Sequence, residues 1–502
     1  MENRHIVAID AGSSKISIAV AYQVENGFKI SCYKTAPSAG ISRGRIQNVQ
    51  QASEVIQGLV GEVKEDLGLD VKQAVINLPR FPITKIERTA TITRDEENII
   101  QEEEIQLLQD IACNEALKED AENNQKAKMV VYDCIAQSYS DGMDFQIPQE
   151  DITGRYSDYL EGQFHVYLGK SQPAGNVDNC LGLVDLTAAR KVFMAPCTGK
   201  MVLDNSDVEN GVAMVDIGGG TTSVAIYSGG ILRHFDSIPF GGRNVTMDIR
   251  NECGLSETLA ENIKKAYGIC CPDKLLSMGD KYLRIKLKSA TRDKEVGVKY
   301  LSEIVTARMR EIFDAVLYII QESGMADDLR SGIVLTGGGA MLTNCTKLLE
   351  EMSGYTVRIG SVKKKFNGMG KELYQPDAAG CLGLLYAAKH MEKTFFVSDP
   401  EDPRFNAIDD AEPAPEPVVD LPDEPVVEAV QAPEKPAAPA PAPKEAPRST
   451  LFGKDAGKSA EPAKAPEKPR KPSKMGSFFG MLLDSDEKQG EQGDLFGDKD
   501  LF

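Results

Sequence analysis

The chain has little of what most catalytic and metal sites are built from. Its 502 residues include only four histidines, and none is clustered with another, so neither a histidine metal centre nor imidazole acid–base chemistry is expected. The ten cysteines are scattered, without a C-x-x-C spacing, and only Cys270 and Cys271 adjoin. That usage fits reduced, mostly buried thiols in a cytosolic protein and argues against a disulfide framework or a zinc site. No segment approaches the roughly 20 apolar residues that span a bilayer. The opening "MENRHIVAID" runs into a strand without a charged leader or long apolar core, so no secretory signal is expected. Positive charge is in deficit as well: the formal net charge is -19. With no basic face over the first 390 residues, nucleic acid is not an expected partner, because its phosphates would be repelled.

What is present divides sharply. A chain of this length predicts several domains. Up to about residue 395, strand-like apolar runs alternate with amphipathic helical runs, an α/β pattern. Beyond it, sixteen of the 26 prolines fall between Pro403 and Pro472, interleaved with Ala, Glu and Lys. Such a segment buries too little apolar surface to offset its ordering entropy, so a disordered tether is expected over 396–472. Residues 113–131 read as a long loop.

Three glycine-centred stretches stand out. "MVDIGGGTTSVAIYSGGIL" (214–232) is an apolar strand ending in Asp216, a glycine turn and a second strand. "IVAIDAGSSKISIAV" (6–20) repeats that layout, with Asp10 and Gly12 matching Asp216 and Gly218. Each predicts a β-hairpin whose glycines permit a tight turn. Facing one another, two such hairpins would bring Cβ-free backbone amides to a polyphosphate. Asp10 and Asp216 could then hold a hydrated Mg2+, an ion that gives up its water reluctantly. A lone "DIGGGTT" is as easily an ordinary hairpin; recurrence lowers that alternative. The third stretch, "GIVLTGGGAML" (332–342), predicts a strand, then Gly337, Gly338 and Gly339, then a helix starting near Ala340 or Met341. A glycine turn at a helix start offers free N–H groups and a flat surface to a nucleotide. The Lys-Ser/Thr of a Walker loop and a G-x-G-x-x-G fingerprint are both missing.

That trio resembles the actin-like ATPase superfamily. "GISRGRIQN" (40–48), "PFGGRNVTMDI" (239–249), "AENIKKAYG" (260–268), "LSEIVTARMREI" (301–312) and "DAAGCLGLLYAAK" (377–389) narrow the resemblance to the bacterial cell-division FtsA family, over roughly residues 5–390. "DITGRYSDYLEGQFHVYLG" (151–169) looks like the end of that family's small inserted subdomain. The resemblance implies an α/β, two-lobed actin-like ATPase fold with this insertion, followed by the disordered tether. The implied division is lobe 1 over 1–80, the insertion over 81–170, lobe 1 again over 171–205 and lobe 2 core over 206–250. A small subdomain of lobe 2 then covers 251–325, lobe 2 core with the adenosine loop 326–360, and the end of lobe 1 361–395.

The implied function is an ATP-binding division protein that forms filaments by self-association, works with other division proteins, and anchors the tubulin-like FtsZ ring to the cytoplasmic face of the inner membrane at the septum. The implied cofactors are ATP and Mg2+. Motif matching carries over Gly12, Ser13, Ser14 and Lys15 as the first phosphate loop and Gly218, Gly219, Gly220, Thr221 and Thr222 as the second. Glu261 and Lys264, three apart on one helix face, would flank base and ribose, with Gly337 to Ala340 closing over the adenosine; a surface ion pair is the alternative for those two. Arg308 matches an arginine near the family's FtsZ-binding surface; a solvated charge is its alternative. Two departures matter. "AVINLPR" (74–80) stands where the family has an Ile-Ser-Gly-like segment, and "APCTGKMVL" (195–203) carries no Gln or Glu to orient an attacking water, so at most slow hydrolysis is expected. The alternatives are a type IV pilus assembly ATPase and, from another class, a sugar or acetate kinase.

In the terminal segment 473–502, Met475, Phe478, Phe479, Leu482 and Leu483 recur at helical spacing behind Lys464, Lys468, Arg470, Lys471 and Lys474. An apolar stripe with a basic flank suits an anionic membrane surface. The near-repeat "LFGKD" (451–455) and "LFGDKD" (495–500) reads equally as a pair of linear motifs for a protein groove.

Overall fold

The computed structural model describes residues 5–390, apart from 26, 124–127, 276–280, 286–293 and 364. The tether expected over 396–472, the LFG copies and the stripe from Met475 to Leu483 lie outside the described residues.

Strand alternation explains the architecture. In His5–Ala11, Ile6 and Ala8 join a central apolar cluster while Val7, Ile9 and Ala11 join a cluster on the opposite face. In Val212–Ile217, Val212 and Met214 join the same central cluster, whereas Ala213, Val215 and Ile217 face the other way. Both strands are therefore buried on two faces, which is why they read as continuous apolar runs. The same period of two puts Asp10 beside Ile6 and Ala8, and Asp216 beside Val212 and Met214, so both carboxylates point inward.

Two five-stranded sheets are built around these strands, with one topology used twice. The first runs Thr187–Val192, Gln73–Asn77, His5–Ala11, Lys15–Val24, Gly27–Pro37, and the second, from the opposite edge, Val357–Ile359, Ile333–Thr336, Val212–Ile217, Thr222–Ser228, Ile231–Ile238. In each, the aspartate strand has an antiparallel meander on one side and two parallel strands on the other. Helices Met194–Val202 and Ala379–Lys389 contribute to the cluster shared by the two sheets. Helix Val49–Leu67 covers the first sheet's outer face; Asn48 Oδ1 accepts the Gln51 N–H at its start and Gly68, at φ 65°, ends it. Helices Gly242–Cys253 and Val298–Glu322 cover the second.

Between the strands of the first sheet, the chain inserts a unit with its own core. Strand Tyr156–Lys170 pairs on one side with Ile83–Ile99 and on the other with Met129–Ser140. Helix Glu102–Asn123 packs Ile105, Leu108, Ala112 and Ala116 onto that sheet. This corrects the long loop expected over 113–131: most of it is helix and strand, because alanines and leucines at helical spacing outweigh its polar surface. The mixed α/β architecture with an insertion is the expected fold class.

Candidate functional site

The two hairpins are the same structure twice. Asp10 pairs with Ser17 and Ala11 with Ile16; Asp216 pairs with Ser223 and Ile217 with Thr222. One turn bond closes each: the Gly12 N–H donates to Lys15 O at 3.2 Å, and the Gly218 N–H to Thr221 O at 2.9 Å. The tips meet. A Cβ placed on Gly219 would lie 2.6 Å from Ser14 Cβ, and one on Gly220 2.8 Å from Ser13 Cβ, so only glycine allows this approach. The second tip is also seated on a helix start, since the Gly242 and Arg243 N–H groups donate to Gly218 O and Gly219 O at 2.9 and 2.7 Å.

The structure brings Gly12, Ser13, Ser14, Lys15 and Gly218, Gly219, Gly220 to one place. Thr221 and Thr222, expected beside them, are buried, and the Thr222 hydroxyl donates to Phe240 O at 2.9 Å. Lys15 reaches Asp377 at 2.7 Å. Ala11 is pinned by Asn77, whose Oδ1 accepts its N–H at 2.7 Å.

The third glycine stretch adjoins the second hairpin through parallel pairing of Asp216 with Thr336. Gly337 sits at φ 81°, and a Cβ there would fall 2.3 Å from Asp216 Oδ1 and 2.6 Å from Ile217 O. The chain then makes a single 3-10 turn over Gly338–Met341, and the α-helix starts only at Cys345, four residues beyond Met341. Thr343 links this turn to the end of the helix carrying Glu261 and Lys264, donating to Gly268 O and accepting from the Cys270 N–H.

Glu261 and Lys264 are not a surface pair. Lys264 Nζ lies 2.7 Å from Glu261 and donates to Gly242 O and Thr246 Oγ1, both at 2.9 Å; Thr246 donates in turn to Glu261. Burial opposes the Glu261 charge, but Lys264 and the Thr246 hydroxyl outweigh it and hold the carboxyl below its ordinary range; burial pulls Lys264 down despite Glu261. Arg308 is also committed: it grips Asp248 with Nε at 2.6 Å and Nη2 at 3.0 Å, and Glu311 with Nη1.

The residue that organises the centre is Arg80. It follows strand Gln73–Asn77, and its guanidinium lies between the two aspartates, 2.7 Å from Asp10 Oδ1 and 3.2 Å from Asp216 Oδ2. Its backbone is fixed on both sides, the N–H by Gly44 O and the carbonyl by the Ser237 hydroxyl, each at 2.9 Å. Gly44, at φ 70°, also donates its N–H to Ser13 Oγ, and a Cβ there would lie 3.0 Å from Thr221 Cγ2. Burial works against the Arg80 charge, yet the carboxylates and the Asp10 hydrogen bond hold its pKa above the usual guanidinium value. Burial raises Asp216, with Arg80 opposing and Asp10 adding to the rise. Arg80 Nε and Thr198 Oγ1 have no protein partner, and both residues line a cavity of about 20 Å³, room for one water.

In the sequence, Arg80 stands out only within a departure from a family pattern, and Asp377, Gly44 and Asn77 carry no evident role. The signal is a cation three residues beyond a buried strand, a residue type that needs a partner when buried. Among the described residues, no His, Cys, Asp and Glu cluster suited to a metal occurs, and no helix is long and apolar enough to cross a membrane.

Comparison with known proteins agrees with this architecture. The family model described as "Cell division protein FtsA" matches residues 213–383. The chain is 28% identical over 394 residues to "Cell division protein FtsA" of Neisseria meningitidis serogroup B, covering 78% of this chain and 92% of that one. It is also 28% identical over 399 residues to the protein of the same name from Borreliella burgdorferi, covering 79% and 93%. Among solved structures, a chain of the "PilM-PilN type IV pilus biogenesis complex" superposes with a TM-score of 0.54 at 14% identity, covering 76% of this chain and 98% of that one. Taken with the repeated sheet and hairpin, these likenesses bear out the resemblance read from the motifs: the fold is actin-like, and the chain is similar to the FtsA family of cell-division proteins over most of its length.

Proposed function

We propose that this chain is an ATP-binding, actin-like division protein that self-associates on the cytoplasmic face of the inner membrane and anchors the FtsZ ring there, at the septum, with other division proteins. The observation that supports it most is similarity to proteins named for cell division along nine-tenths of their length. Nucleotide is assigned to the paired hairpin tips. Gly12 to Lys15 and Gly218 to Gly220 supply amides, hydroxyls and one ammonium to its phosphates, the Thr221 and Thr222 backbone completes the second turn, and Gly337 to Ala340 with Glu261 and Lys264 bound its adenosine side. Mg2+ accompanies those phosphates as a counterion and adds little to their hold on the hairpins.

Hydrolysis is at most slow in this reading, because helix Met194–Val202 offers no carboxylate or carboxamide to a water. Arg308 serves the FtsZ surface by fixing helix Val298–Glu322 on Asp248. Membrane attachment is assigned to Met475, Phe478, Phe479, Leu482 and Leu483, where weak single anchors add through a filament. The pilus reading rests on likeness of fold alone.

The test is co-sedimentation of the full chain, and of a chain ending before Ser473, with anionic liposomes and FtsZ, with and without ATP. The full chain is expected to pellet with vesicles and carry FtsZ with it; the shortened chain loses the vesicles and keeps FtsZ. A full chain that ignores both refutes the proposal. Phosphate release in the same tubes gives the hydrolysis rate.

A further inference from the structure

A hydrated divalent ion between Asp10 and Asp216 needs carboxylate oxygens open to its water shell. Two of the four oxygens here are engaged otherwise, and the two side chains are only 13% and 14% exposed. Asp10 Oδ1 and Asp216 Oδ2 take the Arg80 guanidinium. The other two abut glycines: a Cβ on Gly380 would lie 2.6 Å from Asp10 Oδ2, and one on Gly337 2.3 Å from Asp216 Oδ1. Arg80 is not a chance visitor, since its backbone is tied to Gly44 and Ser237 and its side chain is only 13% exposed. The residues as they stand do not fit a metal at this pair.

We propose that Arg80 is the resident cation of the site, bridging Asp10 and Asp216 in place of a divalent ion. A guanidinium suits the task, being permanently charged and able to spread two N–H groups over two carboxylates. The repulsion between the two carboxylates, and toward an incoming phosphate, is then partly offset before any nucleotide arrives, and one side chain ties the two hairpins together. This rests on the nucleotide reading above, and its consequence is specific: polyphosphate binding at the hairpins does not depend on a metal held by the aspartates.

Two measurements on the full chain test it. The first is affinity for a fluorescent ATP analogue in EDTA and in Mg2+. Wild type is expected to change by less than about threefold between the two, whereas Arg80→Ala weakens about tenfold or more in EDTA and recovers in Mg2+. A wild-type loss of about tenfold in EDTA, or no metal dependence in Arg80→Ala, overturns the proposal; absence of binding in both buffers refutes the nucleotide reading instead. The second is Mn2+ binding by electron paramagnetic resonance without nucleotide, which decides the replacement of the metal whether or not nucleotide binds. Wild type and Asp10→Asn are expected to give the same spectrum, and Arg80→Ala to gain an ion that Arg80→Ala with Asp10→Asn loses. A wild-type ion abolished by Asp10→Asn alone overturns the proposal, even should Arg80→Ala fail to fold.

Discussion

The two hairpins share a register and a turn bond but divide the work between side chains and backbone. The first tip, Gly12 to Lys15, projects two hydroxyls and an ammonium; the second, Gly218 to Gly220, projects none. Their contact explains the difference. Ser13 and Ser14 press on Gly220 and Gly219 at distances that a second set of Cβ atoms would close below van der Waals contact. A duplicated motif brought face to face therefore cannot keep the same side chains on both copies. The supports differ too: Asn77 and Gly44 brace the first tip, and the start of helix Gly242–Cys253 braces the second.

The glycines behind the two aspartates offer the largest test of that asymmetry. Gly337→Ala must adopt φ 81° and drive a methyl into the Ile217 carbonyl, so a loss of about 3 kcal/mol or more is expected in urea unfolding. Gly380→Ala meets only side-chain atoms, from inside a helix, and is expected to cost about 1–2 kcal/mol, part of it offset by helix propensity. Equal losses would show that the two halves are supported alike. Gly338→Ala, with nothing nearer than Asp377 Cβ at 3.8 Å, is the control and should change stability by less than about 1 kcal/mol.

The inserted unit adds a pH-dependent contact to the second sheet. Its Gln137 donates to Leu232 O on the edge strand and accepts from Arg233. Burial lowers His165 and His234 to about 4, with Lys85 assisting at both, Arg233 at the first and His165 at the second, against Glu87. In the unfolded chain both protonate near 6.5, so between about 6.5 and 4 the unfolded state binds more protons. Stability is then full above 6.5 and falls as pH drops through that window. A loss on the order of 2–4 kcal/mol is expected from pH 7 to pH 5, and His165→Gln with His234→Asn should flatten the curve.

Removing one carboxylate from Arg80 comes next. Asp10→Ala is expected to cost about 2–3 kcal/mol and Asp216→Ala less, about 1–2 kcal/mol, because the remaining partner still compensates the guanidinium. The ordering follows from the shorter Asp10 contact and from burial already disfavouring the Asp216 charge. A reversed order would make the second hairpin the main seat of Arg80.

Lys15 gives the smallest effect on stability. Its pair with Asp377 is about one-third exposed, so Lys15→Met should change unfolding by less than about 1 kcal/mol while weakening nucleotide affinity about tenfold. Asp377→Asn frees the ammonium and should strengthen that affinity, a difference readable by fluorescence titration.

The repeated strand-turn-strand, the burial of both aspartate strands and the glycine stretch at 337–339 are legible in the linear pattern, because alternation and turn chemistry act between neighbours along the chain. Its spacing put Glu261 and Lys264 on one helix face, but not the Thr246 and Gly242 groups that enclose them. It also left the insertion's helix hidden inside an apparent loop, where packing onto a sheet supplied what local polarity obscured. What lies between Asp10 and Asp216 is visible in the folded chain alone. Arg80 is 70 residues from one and 136 from the other, and no local pattern relates them. Three sequence-distant charges meet because two sheets turn their inner faces to one cluster, and a cation buried there needs a carboxylate partner.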